Sequence, residues 1–433
     1  MDKKAEKLIG RGSEILEEIK KMKNPLIVHH YDCDGISSGS IVVKGLMDND
    51  INFTKKSLKN LDEENIKKLK NYQNIIFVDL GNTPYIDELK ENIIIIDHHP
   101  LKTKTHLQIN PLQFGFDGGM ELSASGTAYF VFNHMEDIAI VGAVGDMQTP
   151  LTSLNRYILE KGIKKGVLKR ENDILLYGKS SRSLPHMLSY SDDPFIPGIS
   201  GNEEEAVRFL IDKNIPLKKG SRWNTYYDLG EKSKEVLRGS LIEYMSMWGV
   251  SKQTLFGEVY LLPKWPKKTP YYVAQEFATI LNACGRNGKE DIGVDVCLKK
   301  SNAFKSAEEL LLLHKKNLKE GLNYAKQNLV EFSNFYFLDG RNMISDTIIG
   351  VVIGMLFSMK RNKPYVGVSD YSESEFKISA RAIEKNDVDL GGVISNIIKK
   401  IGGVGGGHKL AAGAVIQKDK LDDFLLLFND ELI

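Results

Sequence analysis

Over its first hundred residues the chain alternates short apolar runs with stretches of helical periodicity. Pro25–His30, Asn74–Leu80 (NIIFVDL) and Asn92–Asp97 (NIIIID) are strand-length, β-branched runs. The spacers between them, such as Ser37 to about Asp48, read as helices. Unbroken Ile/Val runs are buried on both faces, as strands of a doubly wound, mainly parallel α/β sheet are. Each run ends in acidic or histidine residues, and open α/β sheets place ligand-binding groups at the carboxyl ends of their strands. Residues 120–150 begin with small residues (SASGTAYFVF) that pack closely as a helix, then continue as AIVGAVGDMQ. From about 151 to 325, charged helical patterns alternate with the Pro/Gly-rich stretch DDPFIPGISG. The last hundred residues change character: FYFLDG, YVGVSD, EFKISARA and AGAVI are strand-like around a helical VDLGGVISNIIKK. The expected organisation is a first domain over 1–195, a helical connection or insertion over 196–325, and a smaller α+β domain over 326–433.

Composition narrows the class. With 433 residues, 42 % hydrophobic and 27 % charged, the chain can build two or three full cores. No run approaches the roughly 18 apolar residues of a membrane span, so no membrane association is expected. MDKKAEKLIGRGSEILEEIKKMK reads as a charged amphipathic helix rather than a signal peptide. Cys33, Cys284 and Cys297 are scattered and form neither a disulfide framework nor a thiolate metal site, which suits the cytoplasm. A net charge of +1 excludes a globally basic, polyanion-coating protein. Nucleic acid remains a ligand only through a local patch.

Candidate chemistry gathers at the strand ends. In His30-Tyr31-Asp32-Cys33-Asp34-Gly35, an extended segment would turn His30, Asp32 and Asp34 to one side, with Gly35 permitting a sharp turn into the next helix. A polar strand end is the bland alternative for this hexapeptide. Asp79, after FV and before LG, repeats the pattern, although a helix-capping aspartate looks the same. In Asp97-His98-His99 the adjacent histidines cannot face one way. One could ligate a metal and the other meet substrate, with Asp97 orienting a ring; a surface histidine pair is the competing reading. Asp146 in GAVGDMQ is either a fourth acidic ligand or a turn aspartate. Together Asp32, Asp34, Asp79 and Asp146 supply four negative charges, which match two divalent cations and would repel strongly without them. Mixed carboxylate and imidazole donors suit Mn²⁺, with Mg²⁺ as the alternative. Two such ions clamp a phosphoryl group for in-line attack, so chemistry on a phosphate ester or anhydride is expected.

Near the carboxyl end, Ile401 to Gly413 reads IGGVGGGHKLAAG. It lacks the Gly-Lys-Ser/Thr of a Walker loop. Gly405, Gly406 and Gly407 could form an anion-binding nest, with His408 and Lys409 starting a short helix. A flexible linker is the alternative. Arg381, at the end of a strand in ISARA, is a second candidate phosphate contact.

The ordered motifs HYDCDGISSG, FVDLG, IIDHHP and GAVGDM resemble the four motifs of the DHH phosphoesterases. GGGHKLAAG resembles the signature of the DHH-associated domain, and ELSASGTAY the family's small-residue helix. The single histidine two residues before Asp32 is more like RecJ-type nucleases. Family II pyrophosphatases and nanoRNases tend to carry a histidine where this chain has Val28. Length, the charged first helix and ISARA resemble the archaeal RecJ-like exonucleases, including the group associated with GINS.

The resemblance implies a DHH domain followed by a smaller DHH-associated domain, with the active site in the cleft between them. It implies that Asp34, Asp79, His98 and Asp146 hold one Mn²⁺ and that Asp32, Asp79 and His30 hold another, Asp79 bridging. His99 would contact the scissile phosphate, while Arg381, Gly405, Gly406, Gly407 and His408 would hold nucleotide phosphates. The implied function is a two-metal exonuclease on single-stranded DNA or RNA in replication or repair, with a replisome or helicase protein as partner. A nanoRNase or small-nucleotide phosphodiesterase is the second reading, and a replisome scaffold the third.

Overall fold

Strand boundaries follow from where β-branched residues end and polar ones begin. The computed structural model describes every residue except 1, 2, 90, 91, 104, 105, 192, 193, 250, 359–361, 384, 385 and 433. Helix α1 (Lys3–Lys21) leads into β1 (Leu26–His30), α2 (Cys33–Asp48), β2 (Thr54–Leu58), α3 (Glu63–Leu69), β3 (Asn74–Val78), β4 (Asn92–Ile96) and β5 (Leu107–Ile109). The five strands form one parallel sheet in the order β2-β1-β3-β4-β5. Alternate residues of each strand cover opposite faces. Ile27, Ile76, Val78, Ile94 and Ile96 pack with α1, α2 and the small-residue helices α4 (Ala124–Phe132) and α5 (Glu136–Gly145). Leu26, Val28, Ile75, Phe77, Ile93 and Ile95 pack with Ile66 and Leu69 of α3 and with Ile86 and Leu89. Both faces are covered, as the Ile/Val runs require. The sequence pattern leaves β2 and β5 unmarked, because β2 (TKKSL) is a polar edge strand with only Leu58 buried and β5 is three residues long.

Strand order reverses between β2-β1 and β1-β3, so the crevice at the carboxyl ends of β1 and β3 is the sheet's switch point. The first three histidine and acidic motifs end at that crevice.

The first compact unit runs on to residue 311. After α6 (Ser153–Lys164) come β6 (Lys169–Ile174), α7 (Leu184–Ser189), α8 (Glu203–Asp212), β7 (Lys218–Lys219), β8 (Arg222–Trp223), α9 (Glu231–Met247), α10 (Lys252–Leu255) and β9 (Phe256–Leu261). Strands β6 and β9 pair antiparallel, and β7 and β8 form a short hairpin. A separate apolar core lies here, including Ile174, Met187, Phe209, Tyr226, Leu237 and Leu241. Helices α11 (Ala274–Arg286) and α12 (Glu290–Cys297) return to the main core through Phe277, Leu281, Val294 and Val296.

Residues 312–433 form the second unit. It takes the end of α13 (Ala303–Asn328), then β10 (Leu329–Glu331), β11 (Tyr336–Asp339), α14 (Ile349–Met355), β12 (Tyr365–Asp370), β13 (Glu375–Arg381), α15 (Leu390–Ile401), β14 (Val404–His408), β15 (Ala411–Gln417) and α16 (Leu421–Asp430). The six strands make one mixed sheet, β10-β11-β12-β13-β15-β14, in which only β11 and β12 are parallel. Its faces are covered by α15 and α16 on one side and by α14 and the end of α13 on the other. Among the described residues, no helix is long and apolar enough to cross a membrane.

Candidate metal centre

The extended segment ends at His30, not at Asp34 as the alternation of side chains suggested. Asp32 caps α2, its carboxylate accepting the Gly35 N–H at 3.0 Å, and Asp34 lies in the first helical turn. His30, Asp32 and Asp34 still converge, because a strand end and a helix start meet there. Gly35 is required by proximity: a Cβ would collide with the His30 carbonyl. His29 points the other way and is buried beneath α2, where a Cβ on Gly39 would stand 2.9 Å from its ring. Burial lowers its pKa to about 4, so it is neutral.

Asp34 is 2 % exposed and accepts the N–H groups of Ala124 at 2.7 Å and Ser125 at 3.0 Å, the first donors of α4. This explains the run of small residues: a Cβ on Gly142 of α5 would collide with Asp34 Oδ1. Asp79 follows β3 with φ 59°, a left-handed conformation uncommon for a non-glycine residue. Its N–H is tied to the Ile96 carbonyl at 3.0 Å. That geometry aims one carboxylate oxygen at each of two histidines. Oδ1 stands 3.3 Å from His98 Nε2, and Oδ2 stands 3.3 Å from His30 Nδ1.

The two histidines after β4 do not point apart, as strand alternation suggested. Beyond the strand end the chain turns, the rings meet edge to face at 4.4 Å, and both come near Asp79 Oδ1, His98 at 3.3 Å and His99 at 3.7 Å. His98 is buried and donates Nδ1–H to the Gly118 carbonyl at 2.6 Å, leaving Nε2 toward Asp79 and, at 4.0 Å, Asp34. His99 is half exposed and donates Nδ1–H to Asp97 Oδ1 at 2.8 Å. Asp97 also accepts the His98 N–H at 2.8 Å and Asn82 Nδ2 at 2.9 Å, so its oxygens are consumed in orienting the turn. Asp146 closes α5 and stands 3.8 Å from His98.

Three donor groups result among the described residues: His30, Asp32 and Asp79; Asp34, His98 and Asp146; and Asp79, Asp97, His98 and His99, with donor atoms in each within 4.8 Å of one another. In the third, Asp97 is already spent on the turn and on His99, so the first two are the donor groups considered below. Their electrostatics are those of a site built around positive charge. Burial, then Asp79 and Asp146, push the Asp34 carboxyl up to about 7. Burial and the Asp79 and Asp32 charges push Asp146 up to about 6. Burial opposes protonation of His30 and His98, yet the surrounding carboxylates raise both above the ordinary imidazole range. His99 is likewise raised, to about 9, because Asp97 outweighs its burial. Two buried atoms, Asp79 Oδ1 and His30 Nδ1, lack any partner in hydrogen-bond geometry. His30 Nδ1 lies 3.0 Å from Asp32 Oδ2 without a hydrogen-bonding alignment, as donors aimed at a common third point do. Orphaned donors, excess carboxylate and mixed oxygen and nitrogen chemistry fit divalent cations.

The remaining candidates lie in the second unit. Gly405, Gly406 and Gly407 do not form a nest, and no helix begins at His408. They belong to β14, an edge strand paired to β15, because a glycine run followed by alternating AAGAVI completes a hairpin. Lys409 sits in the hairpin turn, 3.6 Å from Asp387. Arg381 and His408 both pair across to Ala411, one from each side, so the register sets them in a single row.

Sequence reasoning passed over Gln148 and Asn155. Both are fully buried. Gln148 Nε2 donates to Asp146 Oδ2 at 2.8 Å and to the Gly118 carbonyl at 2.7 Å, and its Oε1 accepts from Asn155 Nδ2 at 2.6 Å. Gln148 therefore braces Asp146 directly and His98 through Gly118. The signal was present: Asn155 falls on the buried stripe of α6 with Leu154, Ile158 and Leu159.

Comparison with known proteins adds the family. The DHH family N-terminal domain matches residues 24–150, the DHH-CID domain residues 176–256, and the DHHA1 domain residues 334–433. An uncharacterized protein of Methanocaldococcus jannaschii is 32 % identical over 96 % of this chain and 97 % of its own. Among solved structures, RecJ of Thermus thermophilus in complex with Mn²⁺ matches at TM-score 0.61 and 14 % identity, covering 98 % of this chain. The chain spans about half of that RecJ, 54 % of its length. CDC45 of Entamoeba histolytica matches at TM-score 0.63 and 13 % identity, over 99 % of this chain and 97 % of its own. At such identities these two likenesses concern the fold.

Proposed function

Because this chain belongs to the DHH family, we propose that it is a metal-dependent phosphodiesterase that removes nucleotides from an end of single-stranded DNA or RNA, in replication or repair. The observation that carries this reading is Asp79, one oxygen toward each donor group, at the switch point of a parallel sheet. On this reading His30 and Asp32 would hold one Mn²⁺, Asp34, His98 and Asp146 would hold the other, and Asp79 would serve both; Mg²⁺ is the alternative. The ions, when bound, polarise the phosphoryl group and ease deprotonation of the attacking water.

The chain's own residues supply the rest. Asp97 holds the proton on His99 Nδ1, so the other ring nitrogen of the exposed imidazolium can donate to a non-bridging phosphate oxygen. Charge developing on that oxygen strengthens the bond, which is transition-state stabilisation. Asn82 holds Asp97 in that role. In the DHHA1 domain, the row of Arg381 and His408, and the side-chain-free backbone of Gly405, Gly406 and Gly407 on the sheet edge, suit phosphate binding.

The test uses long and very short strands of DNA and RNA, labelled at either end, in Mn²⁺, beside Asp34→Asn. Mononucleotide release from long strands, absent in the variant, supports the exonuclease and fixes its polarity. Cleavage confined to the shortest strands would move the protein to the small-nucleotide phosphodiesterases. No cleavage of either would leave a scaffolding role.

A further inference from the structure

Residues 218–223 form the β7–β8 hairpin, turned by Gly220 and Ser221 and exposed along its whole length. Its base is fixed. Asn224, 5 % exposed, donates its N–H to the Leu217 carbonyl and its Nδ2 to the Pro216 carbonyl, both at 2.8 Å, and accepts the Leu184 N–H at 2.9 Å. Ile215 before the hairpin, and Tyr226 and Leu229 after it, belong to the local core. Trp223 does not join them. It is 42 % exposed, with the Lys218 ammonium 4.3 Å from its ring centre. Lys218 and Trp223 are cross-strand partners, as are Lys219 and Arg222. Arg222 reaches Asp228 at 3.0 Å, and Lys268 pairs with the same carboxylate.

Four cations thus gather around one carboxylate and one exposed indole, in a chain whose net charge is +1. Lys218 and Lys219 make no ion pair among the described residues. A purely structural reason accounts for little of this. An exposed cation–π pair holds a hairpin with about 0.5–1 kcal/mol, and burying the indole would stabilise it more. Asp228 accounts for Arg222 and Lys268, but nothing in the fold requires Lys219, and one carboxylate offsets only one of the four charges.

We propose that this hairpin is a binding site for single-stranded nucleic acid. A base stacks on Trp223, and Lys218, Lys219, Arg222 and Lys268 meet the flanking phosphates. Single strands present both a regular polyanion and unpaired aromatic faces, which is the complement of this surface. An acidic peptide would satisfy the cations but would not use the exposed part of the Trp223 ring. The proposal rests on the phosphodiesterase reading in one respect: the strand held here is the strand hydrolysed.

Binding is measured first in EDTA, by anisotropy of a labelled oligothymidylate of about thirty nucleotides, longer than the roughly 4–16 nucleotides one strand-binding fold occupies. Trp223→Ala is expected to raise Kd about tenfold, the scale of one lost base stack. The double variant Lys218→Ala, Lys219→Ala should flatten the plot of log K against log salt by about 0.7 per lysine. Quenching of intrinsic fluorescence by the strand should shrink in Trp223→Phe. In Mn²⁺, kcat/KM for the long strand should fall relative to that for a dinucleotide in both the Trp223→Ala and the double-lysine variants. Wild-type Kd and salt slope in those two variants would overturn the proposal. If nothing is hydrolysed but binding in EDTA still depends on Trp223, the hairpin site stands and the hydrolase reading fails.

Discussion

At the residue scale, the account turns on protons and cations competing for the same atoms. Asp34 at about 7 and Asp146 at about 6 are carboxyls whose charged form the metal-free fold disfavours. Both must be ionised to bind a cation, so Mn²⁺ affinity is predicted to fall as pH drops from about 8 to about 5.5. Stability of the metal-free protein should move the opposite way. A carboxyl whose folded pKa is raised costs the fold stability progressively as pH rises from its unfolded value to the folded one, here to about 7 for Asp34 and about 6 for Asp146, and His30, His98 and His99, raised as well, stabilise it only while protonated. Asp32 and Asp97, held well below the ordinary range, stay charged across the whole window and contribute no slope. Thermal melts with EDTA and with Mn²⁺ across that range check both signs; parallel slopes would contradict the assignment. Gln148 gives a second check. Replacing it by Leu removes the brace on Asp146 and frees the Gly118 carbonyl to reorient, so Mn²⁺ affinity should fall about 10–100-fold while Ala-for-surface controls do not change. Calorimetric titration reads this without any substrate. Asp34→Asn should lower kcat more than Gln148→Leu does, because it removes a ligand rather than its support, and should leave far-UV circular dichroism unchanged.

At the scale of elements, the site depends on helices that come close. Gly142 of α5 lets that helix pass against Asp34 and Ser125. Gly142→Ala inserts a methyl group against the buried Asp34 carboxylate and the Ser125 side chain, both held by hydrogen bonds, and should cost about 1–3 kcal/mol and weaken Mn²⁺ binding together. Gly10 of α1 is the control: a Cβ there meets nothing within 4 Å, so Gly10→Ala should raise stability by about 0.5–1 kcal/mol with Mn²⁺ binding unchanged. Denaturant melts and titrations of the two variants distinguish a packing effect on the site from a general change in stability. The edge position of β14 follows the same logic. Glycines on both elements let α15 approach the sheet's last strand: a Cβ on Gly405 of β14 would stand 3.0 Å from Ile398, and one on Gly391 of α15 would collide with the Gly407 carbonyl.

At the scale of the whole molecule, much of the architecture was legible because burial on two faces leaves a plain mark. NIIFV and NIIII had to be central strands, and the residues after them had to stand at the carboxyl edge. The fold over 24–150 and the mixed sheet of the second unit followed. What was not legible depended on contacts distant in sequence. Asp32 gives no local sign that it caps α2 rather than extending β1, because a strand end and a helix start share the same polar residues. The glycine run was read as an anion nest, since its pairing with Ala411–Gln417 is a tertiary fact that backbone propensity does not encode. Gln148, in the turn after α5, gives no local sign that it will brace Asp146, although the buried stripe of α6 marks its partner Asn155. The β7–β8 hairpin lay within a stretch whose helical periodicity dominated the pattern.

The central claim is a shared two-cation centre, and the most direct test is a Mn²⁺ titration of the full chain, by calorimetry and by electron paramagnetic resonance, beside Asp79→Asn. The account predicts two Mn²⁺ per chain with magnetic coupling between them, and weakened binding at both positions in the variant, because Asp79 faces both donor groups. One uncoupled ion per chain, or two bound as tightly in Asp79→Asn as in the native protein, would contradict it.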